Sequence, residues 1–210
     1  NKINLLDIGA SNGISIKFLK SKLDLGNIYA VEPNFDYCKS LKKIKNIKIY
    51  NYGLSNKNER KKVFIPEYTF IRKKIKLIPY TFYDKKLLKK ILLKNFIFYK
   101  KFKIVEENLY LKKKIYIKNR IDLIKLDVNG YEYEIIKCLK NLISKHNPVL
   151  LVEELKKINK IDRYLSKLDY DCCFYSYDND KIQKYNFKNN SIKPLTFYFI
   201  PKKNKKIKLA

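Results

Sequence analysis

Leu5-Leu6-Asp7-Ile8-Gly9-Ala10-Ser11-Asn12-Gly13 decides the fold. The apolar run over residues 3–8 ends in an acid and a glycine, which is how a buried parallel strand reads. Glycine at that point lets the chain turn sharply and lets a ligand come close to the backbone. Residues 12–23 place Ile14, Phe18, Leu19 and Leu23 near one helical stripe, so a helix follows. Its first N–H groups and positive dipole end suit a carboxylate or phosphate. A tight turn with no ligand would carry the same glycines, so the reading needs support further along.

Glu32 supplies it. Residues 27–31 form a second apolar strand, and Glu32 closes it 19 residues after Gly13. In nucleoside-binding folds an acid there accepts hydrogen bonds from both ribose hydroxyls. The plain alternative is an exposed glutamate before the turn at Pro33. The glycine spacing separates ligands: a dinucleotide site expects G-x-G-x-x-G, whereas Gly9 and Gly13 give G-x-x-x-G with Asp7 two positions ahead. That weighs against a nicotinamide-dependent oxidoreductase.

The remaining chain keeps the rhythm. Strands are expected at 46–52, 121–128, 148–153, 171–177 and 195–200, and helices at 34–44, 131–145 and 158–168. With the first two this makes seven strands in an α/β fold, a mostly parallel sheet with helices on both faces. Residues 67–118 break the pattern. Between residues 61 and 120 there are 19 Lys/Arg against 4 Asp/Glu, and 84–99 reads as a basic amphipathic helix. This is an insertion, either a solvated lysine-rich surface or a substrate-facing lid. The 210 residues are otherwise read as one domain. Residue 1 already lies in an apolar run and there is no Met, so the natural chain is expected to begin upstream.

A net charge of +28 invites a nucleic-acid reading, but lysine outnumbers arginine 44 to 4. Phosphate and base readers lean on the arginine fork, and a joint excess of Lys, Ile, Asn and Tyr is what A/T-rich coding produces. Salt-sensitive attraction to acidic surfaces stays open. Cys38, Cys138, Cys172 and Cys173 have neither metal-ligand spacing nor a paired histidine, so they read as apolar fillers in a reducing, cytoplasmic setting, with no metal site. No apolar stretch reaches the roughly 18 residues that cross a bilayer.

The string LLDIGASNG resembles the first motif of class I methyltransferases. The wider chain resembles the FkbM-type methyltransferases through DIGASNG at 7–13, AVEPN at 30–34, NYGLSN at 51–56, IDLIKLDVNGYE at 121–132, PVLLVEE at 148–154 and LTFYFIPKK at 195–203. The resemblance implies a Rossmann-like class I methyltransferase fold, S-adenosylmethionine as cofactor, and transfer to a hydroxyl of a sugar, glycan or other small molecule. Asp7, Gly9, Ala10, Ser11, Asn12 and Gly13 would then hold its amino-acid half and Glu32 its ribose. Tyr52 and Gly53 would border the adenine, unless they merely turn the chain.

Asp127, ending the fourth core strand, is the first candidate for the base, or else it orients the cofactor amine. Glu153, ending the fifth, is the second candidate at the acceptor. Glu132 has a plainer role as a favourable charge at a helix start. His146 falls at the opposite end of the sheet and reads as a surface residue. The family usually has Glu where this chain has Asn129, and 67–118 does not follow the family. Two other readings compete: an RNA methyltransferase, on charge alone, and a degenerate Rossmann domain that binds an acidic partner.

Overall fold

The computed structural model describes residues 2–96, 101–153, 157–188 and 194–203. Its strands are β1 (Ile3–Ile8), β2 (Leu25–Val31), β3 (Ile47–Tyr50), β4 (Gly53–Leu54), β5 (Glu59–Phe70), β6 (Lys73–Lys76), β7 (Lys103–Lys112), β8 (Leu123–Leu126), β9 (Val149–Glu153), β10 (Tyr170–Ser176), β11 (Lys181–Lys184) and β12 (Thr196–Pro201). Its helices are α1 (Ile14–Lys22), α2 (Phe35–Leu41), α3 (Lys85–Asn95), α4 (Glu132–Cys138), α5 (Lys140–His146) and α6 (Ile158–Ser166).

The main sheet runs β11-β10-β12-β9-β8-β1-β2-β3. Strands β9, β8, β1, β2 and β3 are parallel neighbours, and β12 lies antiparallel between β9 and β10. All seven expected strands are present. The eighth, β11, is a lysine-flanked hairpin partner of β10 with too few apolar residues to stand out.

Alternate residues of the central strands feed two cores. Leu5, Ile28 and Leu123 pack with Ile16 of α1 and Leu41 of α2 on one face. Leu6, Ile124 and Leu126 pack with Ile135, Ile143 and Ile161 on the other. Helices therefore cover both faces, as a parallel sheet requires. Two helical expectations change. Ile14 and Phe18 are 67% and 63% exposed, so of the stripe read from sequence only Leu19 and Leu23 pack on the core, together with Ile16, which the stripe left out. The expected single helix at 131–145 is broken at Leu139, whose backbone N–H bonds back to Ile135.

The insertion is built mainly of strands. A second sheet, β4-β7-β5-β6, centres on the long antiparallel pair β5–β7, in register from Glu59↔Leu111 to Glu67↔Lys103. Its inward residues Val63, Ile65 and Leu111 are buried. The basic helix exists as α3, held by Leu87, Leu88 and Leu92 and capped by Asp84, which accepts from the N–H groups of Lys86 and Leu87. Residues 97–99 of the expected helix, and 204–208 of the basic tail, fall outside the described residues.

Candidate functional site

The carboxyl ends of β1, β2 and β8 meet at one cleft, where open α/β sheets bind ligands. Gly9 turns the chain there at φ 80°. A side chain at Gly9 would put its Cβ 1.9 Å from the Asp127 carbonyl oxygen, so β1 can pass β8 this closely only with glycine. Gly13 (φ 82°) caps α1, and a Cβ there would meet Ile44 at 2.7 Å.

Glu32 is buried beside this turn. Its Oε2 accepts from the backbone N–H of Ser11 at 2.8 Å, and its Oε1 from that of Asn34 at 2.7 Å. Burial pushes its carboxyl above the ordinary 4.5, and the two N–H bonds only partly oppose this. Each oxygen keeps a lone pair beyond those bonds. The walls of the cleft include Gly9, Ser11, Glu32, Tyr37, Gly53 and Asp127. Ala10 is buried behind the turn, and the Asn12 side chain caps the N–H of Ile14 at 3.3 Å. Tyr52 stands outside the cleft walls, its ring set edge-on to Tyr50 and beneath Lys112.

Four charges gather at the ends of β1, β8 and β9. The β1–β8 register puts Asp7 beside Lys125. Lys125 Nζ lies 3.7 Å from Asp7 Oδ1 and 3.4 Å from Asp127 Oδ2. Asp7 is fully buried, and neither carboxylate oxygen has a hydrogen-bond partner among the described residues. Burial raises its pKa above the ordinary 3.8, with Lys125 opposing and Asp127 adding. For Lys125, burial disfavours the charge, but Asp7 and Asp127 outweigh it and hold the ammonium above 10.5. Glu153 is raised by partial desolvation and by Asp127. Lys125 escaped the sequence reading, although a lone cation inside Leu123-Ile124-Lys125-Leu126 is the signal that could have found it.

The second sheet roofs the cleft. Pro79, Thr81 and Tyr83 join its walls, on the segment between β6 and α3. Asn129, at φ 53°, ties that segment down: its Nδ2 donates to the carbonyls of Pro79 (3.1 Å) and Thr81 (3.0 Å). Two acceptors fix which end of the amide faces them. Deeper in, Tyr83 stacks on Tyr131 at 4.4 Å, and the Tyr131 hydroxyl lies 3.1 Å from Ser55 Oγ, which donates to Glu59 Oε1 at 2.9 Å.

Glu132 does more than charge a helix start. It is fully buried and accepts from the N–H groups of Val128 and Gly130, fixing the loop that carries Asn129. His146 sits at the far end of the sheet, where its Nδ1 accepts from the N–H of Ile121 at 3.2 Å. The four cysteines are free thiols. No helix among the described residues is long and apolar enough to cross a membrane.

Residues 7–172 match the methyltransferase FkbM domain family. Among solved structures, the methyltransferase FkbM from Methylobacillus flagellatus KT aligns at 14% identity and a TM-score of 0.56, covering 94% of this chain and 43% of that one. A structure of the plantazolicin methyltransferase BpumL with SAH aligns at 9% identity and a TM-score of 0.46, covering 95% and 75%. A putative methyltransferase from Thermoplasma acidophilum aligns at 10% identity and a TM-score of 0.45, covering 97% and 70%. The chain thus spans less than half the length of the first of these. No curated protein matches it.

Proposed function

The chain belongs to the methyltransferase FkbM family, and from that membership we propose that it moves a methyl group from S-adenosylmethionine to a hydroxyl oxygen of a sugar, glycan or other small molecule. One observation carries the reading: the Glu32 carboxylate lies against the glycine turn with a lone pair left on each oxygen, the acceptor set a ribose diol needs. Gly9, Ser11 and Asp127 line the cleft for the cofactor's amino-acid half, and the Lys125 that pairs with buried Asp7 also holds Asp127.

S-adenosylmethionine supplies a methyl group activated on a sulfonium. The protein's work is to align the acceptor oxygen with the carbon–sulfur bond, which by positioning alone can be worth about 7–11 kcal/mol. Asp127, on the cleft wall, takes the proton the hydroxyl loses, and Lys125 holds its Oδ2, which leaves Oδ1 outside that ion pair. Glu153 stands one strand away, as a second contact for the acceptor. The Pro79–Thr81 roof favours a small group that enters end-on over a base within folded RNA. We read the two sheets as one catalytic unit, because both line the cleft. The free thiols suit work in the cytoplasm.

Calorimetric titration with S-adenosylmethionine tests the cofactor site, and labelled methyl incorporation into a panel of sugar, lipid and polyketide alcohols tests the acceptor class. Protein that binds no cofactor would leave a degenerate domain. Label entering RNA instead would replace the acceptor.

A further inference from the structure

The β5–β6 hairpin ends in a two-residue turn, Ile71-Arg72, with Phe70 paired to Lys73 across its mouth. Both turn residues have positive φ, 44° and 62°, the left-handed pair of a primed hairpin turn. Asn-Gly fits such a turn without strain. A β-branched isoleucine does not, and here it is 80% exposed, next to a Phe70 that is 58% exposed. Packing gives no reason for two large apolar side chains at the tip, so their reason lies outside the fold.

The charges around them have one sign. Arg72, Lys73 and Lys74 are exposed, and none has an ion-pair partner among the described residues. Of the acids of the same sheet, Glu106 pairs with Lys62 and Lys85, Glu107 with Lys76 and Glu59 with Lys57, while Glu67 is buried. The end of α3 joins this surface through packed rings, Phe96 on Phe102 and Phe102 on Tyr68.

We propose that the tip of the β5–β6 hairpin docks the protein on an anionic lipid bilayer, with Phe70 and Ile71 entering the headgroup–acyl boundary and Arg72, Lys73 and Lys74 on the phosphates. Apolar points ringed by cations are what such an interface accepts. Nucleic acid fits less well. The most exposed apolar group of the tip is aliphatic and cannot stack on a base, and two of the three cations are lysines, without the arginine fork. Docking is independent of the methyl transfer proposed above.

Co-sedimentation with vesicles of phosphatidylcholine, with and without phosphatidylglycerol, tests this on the whole chain. Wild-type protein should pellet with the anionic vesicles only. Phe70→Ser with Ile71→Asn should weaken that binding by about tenfold or more, and so should Arg72→Gln with Lys73→Gln and Lys74→Gln. Ile71→Asn with Arg72→Gly relieves the turn strain, so it should raise the melting temperature while weakening vesicle binding, which separates docking from misfolding. Wild-type protein left in solution by both vesicle types overturns the proposal. So does full vesicle binding by the serine–asparagine variant. Retention on RNA that the charge variant loses and the apolar variant keeps would assign the patch to nucleic acid.

Discussion

The backbone N–H of Ser11 donates to Glu32 Oε2 at 2.8 Å, so the acid that ends β2 is fastened to the glycine turn that ends β1. Two segments 21 residues apart become one surface. Glu32→Ala removes the proposed ribose acceptors along with the fastening. It is expected to weaken S-adenosylmethionine binding by roughly ten- to a hundredfold, as for loss of charged hydrogen bonds, and to lower the melting temperature. Calorimetry showing unaltered affinity in a folded variant would remove the ribose assignment.

Asp7 sets a pH dependence. Its folded pKa lies above the ordinary 3.8 because it is buried, so the folded state holds the proton more tightly than the unfolded chain. The stability this contributes is complete below 3.8 and is lost as pH rises through the folded value. Asp7→Asn fixes the neutral form. Its stability should fall less than that of wild type as pH rises above 3.8. Urea melts across that window decide it: a variant with the same slope as wild type puts the titration elsewhere.

Gly9 is a steric requirement. Alanine there sets a Cβ 1.9 Å from the Asp127 carbonyl at a φ of 80°, and backbone cannot move aside as a side chain would. Gly9→Ala is expected to cost about 3 kcal/mol or more, or to prevent folding. A melting temperature within a few degrees of wild type would show that β1 and β8 are further apart than described.

Asn129 holds the roof by donating to two carbonyls. An aspartate in its place would be almost isosteric but, ionised, could only accept. Asn129→Asp should therefore release Pro79–Thr81 at a cost of about 1–3 kcal/mol. Faster amide exchange confined to residues 77–83, with the main sheet still protected, is the expected signature. Unchanged exchange there would mean that the roof is held by its own packing.

Asp127→Asn keeps the shape of the proposed base and removes its basicity. Turnover should fall by about 10²–10⁴-fold, the usual share of a general base, with cofactor affinity changed only a few-fold. Full turnover in the variant would move the role to Glu153, whose pKa is already raised by burial and by Asp127.

The sequence by itself determined the parallel core and the order of its strands along the chain, because a strand buried on both faces must be apolar along its length. It also marked Asp7, Gly9, Glu32 and Asp127, because a strand end, a sharp turn and an acid at fixed spacing are local signals. It missed β5 and β7 as strands, because the burial of Val63, Ile65 and Leu111 is decided by a partner strand distant in the chain. It missed Lys125 for the same kind of reason: which charge faces Asp7 depends on neighbouring strands. Only the tertiary structure set Asn129 under the roof and Phe70 and Ile71 at an uncovered tip, because donors find their carbonyls, and apolar groups their cover or lack of it, only when the chain has packed.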